Sequence, residues 1–170
     1  MNKTIYYQKI IIKDHSYMIG ATKNGLSFVG SRDSNLTELI SFYPNTKIIE
    51  DEDICSEYSK QLSEYLSGER TKFDLKLDLV GTKFQRIVWR EVKSIDYGHI
   101  CSYTDIANNI GNPKAVRAIG TAVGRNPVLM VIPCHRVLTK DGKLGGYRGG
   151  LNMKRDLLEL ERCEVNNGKI

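Results

Sequence analysis

The second half of the sequence contains two capping boxes, and these limit where its helices can begin. Thr82 with Gln85, and Ser102 with Asp105, place a capping hydroxyl three residues before a side chain that can return the hydrogen bond. Thr82 therefore opens a helix, and Gly98 ends that segment. The predicted apolar face of this helix consists of Phe84, Ile87, Val88, Val92 and Ile95.

A helix-turn-helix is expected next in the chain. The helix from Ser102 runs to about Ile110, and Gly111 lies in the turn that follows. Pro113 suits the first position of a third helix, which extends toward Val123. Two short helices joined by a glycine-containing turn are typical of this motif, although many helical hairpins share the spacing.

The first half is predicted to be a small antiparallel sheet followed by one helix. Apolar and polar residues alternate over residues 4–12, and residues 17–21 and 26–29 are rich in β-formers. Asn24–Gly25 between them favours a tight hairpin turn. Apolar residues recur at helical spacing over residues 53–66, which predicts an amphipathic helix.

Positive charge is concentrated in the second of two predicted domains, residues 1–79 and 80–170. The first has 10 basic and 12 acidic residues, and the second has 15 and 8. This excess favours a polyanionic partner such as nucleic acid, although a solvated surface can produce the same asymmetry. A content of 41% hydrophobic and 26% charged residues excludes a disordered or fibrous chain.

Four cysteines lie far apart, at Cys55, Cys101, Cys134 and Cys163. The sequence has no CxxC pair and no Cys/His cluster with zinc spacing, so we expect neither disulfides nor a metal site. No apolar run reaches the roughly 18 residues of a membrane span, and the first residues do not form a signal peptide. We therefore expect a cytoplasmic protein that keeps at least one thiol for its chemistry.

The predicted third helix combines small and basic residues. Lys114 and Arg117 project from it, and Arg125 follows. Its small residues are Ala115, Ala118, Gly120, Ala122 and Gly124. Such a face allows close approach either to another helix or to a DNA backbone, and the basic residues favour DNA.

The apolar run Val128–Ile132 is predicted to be a buried strand that ends at Pro133, immediately before Cys134. A free thiol is only a few per cent ionised at neutral pH, so a nucleophilic cysteine needs a base or a positive field. His135 and Arg136 offer both. The spacing alone leaves two interpretations, a small buried hydrophobe at a strand end or a nucleophile beside its base.

A glycine-rich loop and a last helix complete the chain. The loop spans residues 142–150, and such loops commonly line sites. The helix runs from about Leu151 to Cys163 and places Glu161 at the edge of its buried face. A carboxylate there can hold the imidazole of His135 in its useful tautomer.

These segments resemble the O6-alkylguanine-DNA alkyltransferases. The resemblance runs from Phe84 to Glu161, through FQRIVW, SYTDIA, GNPKAVRAIG, NPVLMVIPCHRV and GGYRGG. In the first half it rests only on size and the order of elements. It implies an α+β fold, with a ribonuclease H-like N-terminal domain and a C-terminal winged helix-turn-helix domain that bears the active-site cysteine.

The resemblance also implies catalytic roles. Cys134 would accept the alkyl group, His135 would activate it through water, and Glu161 would orient His135. Asn126 would tie the helix-turn-helix to the active-site turn. Tyr103 would donate a hydrogen bond to the flipped guanine.

Other matching residues would hold the base and the DNA. The Val137 backbone and the loop at Tyr147 and Arg148 would contact the base edges, and Arg117 would fill the gap left in the duplex. Some relatives carry serine in place of Arg148, so only backbone contact is expected there. The remaining implied DNA contacts are Lys114, Ala115, Ala118, Gly120, Arg125 and Arg136.

The implied activity is an irreversible, single-turnover transfer of an alkyl group from O6-alkylguanine in double-stranded DNA, with O4-alkylthymine left open as a substrate. No cofactor, metal, membrane or obligate protein partner is implied, and we expect a monomer. The first domain lacks the Cys/His set with which certain relatives bind zinc. Three rivals fit less well: a non-catalytic alkylated-DNA-binding protein lacks the acceptor cysteine, a thiol hydrolase usually has its Cys and His far apart, and a helix-turn-helix regulator leaves PCHR unexplained.

Overall fold

A computed structural model describes residues 3–163, which form two compact units. The first contains the residues up to Val80 together with Pro127–Leu129, and the second contains Gly81–Asn126 and the residues from Met130 onward. The chain thus returns briefly to the first unit after Asn126, a step that a single boundary at residue 79 does not include. No helix in the described range is long and apolar enough to cross a membrane.

The first unit contains a mixed sheet. Its elements are β1 (Thr4–Ile12), β2 (His15–Thr22), β3 (Gly25–Val29), α1 (Leu36–Phe42), β4 (Lys47–Glu50) and α2 (Glu52–Leu66). The strand order is β3-β2-β1-β4, in which β1 pairs antiparallel with β2 and parallel with β4. The predicted strands and helix are confirmed, but the prediction of a purely antiparallel sheet was wrong. Both α1 and β4 are too short to give a periodic signal.

Gly25 has a different role from the one predicted for it. The turn between β2 and β3 is formed by Lys23 and Asn24, and Gly25 already pairs with Thr22 as the first residue of β3. A Cβ at Gly25 would lie 2.7 Å from the carbonyl oxygen of Lys76. Glycine is therefore required here because another backbone segment approaches closely, rather than because of the turn.

Local sequence explains the helix and core of this unit. The Asp51 side chain accepts a hydrogen bond of 3.0 Å from the backbone N–H of Ile54 and so caps α2. On the sheet, one buried cluster consists of Ile5, Met18, Phe28, Leu39 and Tyr43. The returning segment joins β3, since the backbone N–H of Val29 donates to the carbonyl of Pro127 over 2.9 Å.

The second unit is mainly helical. Its elements are α3 (Lys83–Lys93), β5 (Cys101–Ser102), α4 (Tyr103–Asn109), α5 (Val116–Gly124), a 3₁₀ turn (Cys134–Arg136), β6 (Val137–Leu138) and α6 (Leu151–Leu160). Both predicted capping boxes are confirmed, at Thr82 with Gln85 and at Ser102 with Asp105. The parallel pair β5–β6 joins the start of α4 to the residues that follow Cys134.

The predicted apolar face of α3 was partly wrong. Ile87 is 38% exposed, whereas Trp89 is buried and its indole N–H donates to the carbonyl of Ala122 over 2.8 Å. The buried residues Val88, Trp89 and Val92 lie together at helical spacing, and Ile87 is turned about 160° away from Trp89 on the helix. Trp89 thus ties α3 to α5.

The third helix begins later than predicted. Its first residue is Val116, and Pro113 lies in the preceding turn. The backbone N–H of Ala115 donates to the carbonyl of Asn112 over 3.0 Å, so residues 112–115 form a separate turn. Gly111 before it has a φ of +74°, which ends α4 in the left-handed conformation that glycine tolerates.

The predicted strand Val128–Ile132 is not present. The segment is buried, but it makes only an isolated bridge at Val128 and then turns. Met130 has a φ of +71°, which an extended strand cannot contain. A short apolar run was therefore a correct sign of burial and a wrong sign of strand.

Candidate active site

Asn126 fixes the geometry of the turn that carries Cys134. Its side-chain amide donates to the carbonyl of Ile132 over 2.8 Å and to the Cys134 sulfur over 3.1 Å. The backbone N–H of Cys134 also donates to the Ile132 carbonyl over 2.8 Å. These bonds hold the sulfur, in a side chain only 4% exposed, in one position on the 3₁₀ turn.

Burial raises the pKa of the Cys134 thiol above its ordinary value. The hydrogen bond from Asn126 and the positive charges of Arg148 and Lys154 act in the opposite direction but do not outweigh burial. The resting group is therefore a protonated thiol at neutral pH. A base must remove this proton before the sulfur can act as a nucleophile.

His135 and Glu161 form a buried pair beside this thiol. The Nε2 atom of His135 lies 2.8 Å from Oε1 of Glu161. Burial lowers the pKa of His135, and the hydrogen bond that His135 donates to Glu161 offsets this only in part, so the imidazole is neutral at pH 7. An ionised carboxylate can only accept, which puts the imidazole proton on Nε2 and makes Nδ1 the basic nitrogen.

Arg136 also binds Glu161. Its predicted role in DNA contact was wrong. Its guanidinium donates to both carboxylate oxygens of Glu161, over 2.8 and 2.7 Å, and to the carbonyl of Ile95 over 2.5 Å. The residue is only 6% exposed. Burial alone would raise the pKa of Glu161, but the hydrogen bonds from His135 and Arg136 outweigh it and hold that pKa well below its usual range.

A cavity of about 540 Å³ opens at Cys134. Its lining residues are Tyr103, Gly120, Val123, Gly124, Cys134, Thr139, Gly145, Gly146, Tyr147 and Arg148. This volume lies in the range of small-ligand sites. Burial raises the pKa of Tyr103, with Cys134 adding to the effect, so the phenol keeps its proton and is a hydrogen-bond donor at the cavity wall.

Gly145 allows the loop to approach Tyr103. It has a φ of +67°, and a Cβ there would lie 3.5 Å from the Tyr103 hydroxyl and 3.3 Å from Cγ2 of Thr139. Both the conformation and the narrow space favour glycine. The glycine density of the sequence predicted a close-fitting loop at the site, and the structure confirms it.

The other loop residues predicted to bind substrate differ in position. Tyr147 and Arg148 line the cavity, and the Arg148 guanidinium donates twice to the carbonyl of Asn126, over 3.1 and 2.9 Å. Its side chain therefore braces the turn, beyond the backbone contact that was expected. Val137 is fully buried, pairs with Cys101 and is not among the residues that line the cavity.

The face of α5 predicted to contact DNA borders this cavity. Lys114, Arg117, Ala118 and Arg125 are exposed, and Ala115 and Gly120 are partly exposed. Ala122 belongs instead to the buried side. Built Cβ atoms at Gly120 and Gly124 meet nothing within 4 Å, so the space in front of this part of the helix is open.

Lys154 is a buried residue next to the site that was not among the predicted site residues. Its ammonium donates to the carbonyls of Val137, Leu144 and Gly146. A signal was present, since Lys154, Leu157, Leu158 and Glu161 share one face of α6 at spacings of three, four and seven. The position of the charged Lys154 in this stripe was the signal that its side chain is buried.

The described residues contain no group of three or more His, Cys, Asp or Glu side chains placed to hold a metal ion. All four cysteines are free thiols. The cavity presents a buried thiol and a phenol, and the turn that carries the thiol adds a neutral imidazole bound to a carboxylate.

Comparison with known proteins decides the family. A family model described as the DNA-binding domain of 6-O-methylguanine DNA methyltransferase matches residues 83–163. The inducible methylated-DNA–protein-cysteine methyltransferase of Bacillus subtilis is 44% identical over 163 residues, which cover 94% of this chain and 91% of that protein. The chain belongs to this methyltransferase family.

Solved structures of other methyltransferases agree with this assignment. Mycobacterium tuberculosis OGT in complex with DNA has a TM-score of 0.82 and 39% identity to this methyltransferase, with 92% of each chain covered. The O6-methylguanine-DNA methyltransferase of Pyrococcus kodakaraensis has a TM-score of 0.65 at 20% identity, which supports the fold alone. The predicted family and the mixed α+β fold, a small sheet with helices, are confirmed.

Proposed function

We propose that this methyltransferase repairs alkylated DNA by moving the alkyl group of O6-alkylguanine to Cys134. The observation that carries the proposal is the placement of the Cys134 thiol at a cavity of about 540 Å³, on the same turn as His135, whose imidazole binds Glu161. The B. subtilis relative is named for methyl transfer from DNA to a protein cysteine, which matches this chemistry.

The reaction needs one proton removed and one supplied. Neutral His135 takes the thiol proton through a water molecule, and Glu161 stabilises the resulting imidazolium. The Cys134 sulfur then attacks the alkyl carbon, the bond from that carbon to O6 breaks, and its electron pair stays on the guanine. Tyr103 donates a hydrogen bond to the base. The leaving guanine takes the proton that the His135 imidazolium returns through water, so the imidazole ends neutral.

The product explains why each molecule should act once. A thioether on Cys134 carries no good leaving group, so neither water nor His135 restores the thiol. The expected stoichiometry is one alkyl group for each protein molecule.

The lesion must leave the base stack to reach the cavity, at a cost of a few kcal/mol. We infer that α4 and α5 act as the helix-turn-helix of a winged domain, with α5 in the minor groove and Arg117 filling the vacated position. The open space in front of Gly120 supports close approach there. The M. tuberculosis neighbour was solved with DNA, which supports DNA as the partner. We infer that this DNA is double-stranded.

The remaining expectations belong to the same proposal. The first unit is a ribonuclease H-like scaffold, the protein acts as a cytoplasmic monomer, and it needs no cofactor. The rival functions require either no acceptor thiol or a cleft for a peptide or ester. The buried Cys134 at a cavity beside a DNA-facing helix favours neither.

The test is direct. The protein is incubated with a duplex that contains one O6-methylguanine, and each cysteine peptide is weighed by mass spectrometry. We expect one added methyl group, on Cys134, and an unmodified guanine in the DNA. Cys134→Ser should lose both results, whereas Cys55→Ser, which changes a buried thiol in the first unit, should keep both. A repaired duplex with an unmodified Cys134 would overturn the proposal.

A further inference from the structure

Lys154 is a lysine whose side chain is fully buried in the second unit. Its residue exposure is 0%, and the ammonium lies 2.8 Å from the carbonyl of Val137, 3.2 Å from that of Gly146 and within hydrogen-bonding distance of that of Leu144. An ammonium has three N–H donors and these are three acceptors, so the charged form fits the site completely. A neutral amine would present one lone pair to a carbonyl.

The three carbonyls come from two different segments, which the ammonium contacts together. Val137 is in β6, directly after the catalytic turn, while Leu144 and Gly146 are in the glycine-rich loop. Gly145 and Gly146 line the cavity. Lys154 therefore joins the cavity wall to the strand that leaves Cys134.

The same ammonium acts electrostatically on the thiol. Its positive charge lowers the pKa of Cys134, and a negative charge on Cys134 in turn raises the pKa of Lys154. Hydrogen-bonding to three carbonyls keeps this charge fixed, so it needs no rearrangement when the thiolate forms.

We propose that Lys154 is a positioning residue of the transfer reaction, whose ammonium holds the Leu144–Gly146 wall of the cavity against β6 and favours the Cys134 thiolate. The proposal rests on Cys134 as the acceptor. Glu161, which directly follows α6 as its C-cap, binds His135 and Arg136 of the catalytic turn. Lys154 and Glu161 thus make α6 and its cap the element that holds both the cavity wall and the catalytic turn.

The ammonium gives the reaction an alkaline limit. Burial lowers the pKa of Lys154 to about 8, and Cys134 is the titratable group whose charge opposes this. On the catalytic turn, His135 is neutral and Arg136 is neutralised by Glu161. Arg148 on the loop acts on Cys134 with the same sign as Lys154. Above about pH 8 the amine loses a donor, so the wall loosens while the thiol continues to ionise.

The experiment compares Lys154→Met with Lys143→Met. Methionine keeps the length of the side chain and removes its charge, and Lys143 is an exposed lysine of the same loop. Iodoacetamide, a small probe of the thiolate, is applied from pH 6 to 10, and modification of Cys134 is followed by peptide mass spectrometry. Single-turnover repair of the O6-methylguanine duplex is measured over the same range.

In the wild type and in Lys143→Met we expect repair to rise with pH, peak near pH 8 and decline. In Lys154→Met we expect iodoacetamide to react about tenfold more slowly at pH 7, which corresponds to a rise of about one unit in the apparent pKa of Cys134, and the alkaline decline of repair to disappear. A uniform loss at every pH, with both profiles unshifted, would mean that Lys154 only fills space and would overturn the proposal.

Two features keep the test decisive. Should Lys154→Met fail to fold, the wild type alone still answers, since a repair rate without decline up to pH 10 contradicts the role of the ammonium. The iodoacetamide profile does not depend on DNA. A shifted profile in a protein that repairs no duplex would support the role of Lys154 toward the thiolate and overturn the proposed function instead.

Discussion

The carboxylate of Glu161 holds His135 and Arg136 at once, with Oε1 lying 2.8 Å from His135 Nε2 and 2.7 Å from an Arg136 terminal nitrogen. All three side chains are buried. The carboxylate thus has two tasks, to neutralise a buried guanidinium and to set the tautomer of the imidazole. Each task can be measured separately.

Glu161→Gln should damage both stability and repair. An amide cannot neutralise Arg136, and breaking a buried ion pair from one side costs about 3 kcal/mol or more. We expect the free energy of unfolding in urea to fall by that amount and repair to slow at least tenfold. Glu159→Gln, an exposed change on the same helix, should alter neither. Equal stability of the two variants would show that Glu161 does not carry the pair.

The same carboxylate sets an acid limit on stability. Its pKa in the folded protein is below the ordinary 4.5, so its contribution is complete above that pH and is lost as the pH falls below it. We expect the wild type to lose stability between about pH 4.5 and pH 2. The free energy of unfolding of Glu161→Gln, measured by urea titration at each pH, should depend less steeply on pH over this range. An equal pH dependence in the two proteins would contradict the role of Glu161.

Asn126→Ala should affect the ionisation of the Cys134 thiol more than the stability of the fold. In the wild type, the hydrogen bond from Asn126 to the Cys134 sulfur lowers the pKa of that thiol. The change removes this bond, so the pKa of the thiol should rise. It also leaves the buried Ile132 carbonyl with only the Cys134 backbone N–H as a donor, at a cost of about 0.5–1.5 kcal/mol. Iodoacetamide modification of Cys134 against pH checks the first effect.

Asn108→Ala, an exposed change on α4, is the control for that experiment. Its modification profile should overlie that of the wild type. If Asn126→Ala and the wild type gave the same profile, Asn126 would have no part in activating the thiol and only a structural role.

The sequence predicted those features that depend on near neighbours. Both capping boxes involve residues three apart, and the strand Thr4–Ile12 follows from alternation along one segment. The turn that carries Cys134 could not be foreseen in this way. Its geometry depends on the left-handed φ of Met130 and on hydrogen bonds from Asn126 to residues six and eight positions along the chain.

The same distinction explains the errors at the site. Arg136 resembled a surface cation because its partner Glu161 is far along the chain and its other acceptor is the Ile95 carbonyl. Lys154 was missed because its partners are backbone carbonyls, so the residue pattern shows a charged residue in an apolar stripe but not the groups that bind it. The pair of His135 and Glu161 was proposed from the position of Glu161 at the edge of the buried face of the last helix, and the family resemblance implied the same pair.

Gly145→Ala should narrow the cavity. The left-handed φ costs a non-glycine residue roughly 1–2 kcal/mol, and the new methyl group would lie against Tyr103 and Thr139. We expect a duplex with O6-benzylguanine to be repaired more slowly relative to one with O6-methylguanine. Gly68→Ala, in the first unit, has a similar left-handed φ of +78° and a Cβ that meets nothing within 4 Å, so it should leave that ratio unchanged. Equal ratios in both variants would show that Gly145 does not limit the alkyl group.

Arg117→Ala should separate base extrusion from chemistry. Arg117 is exposed on α5, so its loss should change the free energy of unfolding by less than about 0.5 kcal/mol. If its side chain fills the position of the flipped nucleotide, repair of a duplex should slow at least tenfold, whereas repair of single-stranded DNA, which has no vacated position, should change little. Arg155→Ala on α6 is the matched control, since it removes a partly exposed arginine that lies outside α5 and the cavity lining. Equal losses on both substrates would instead assign Arg117 to general attraction for phosphate, because that contribution is present in either form of DNA.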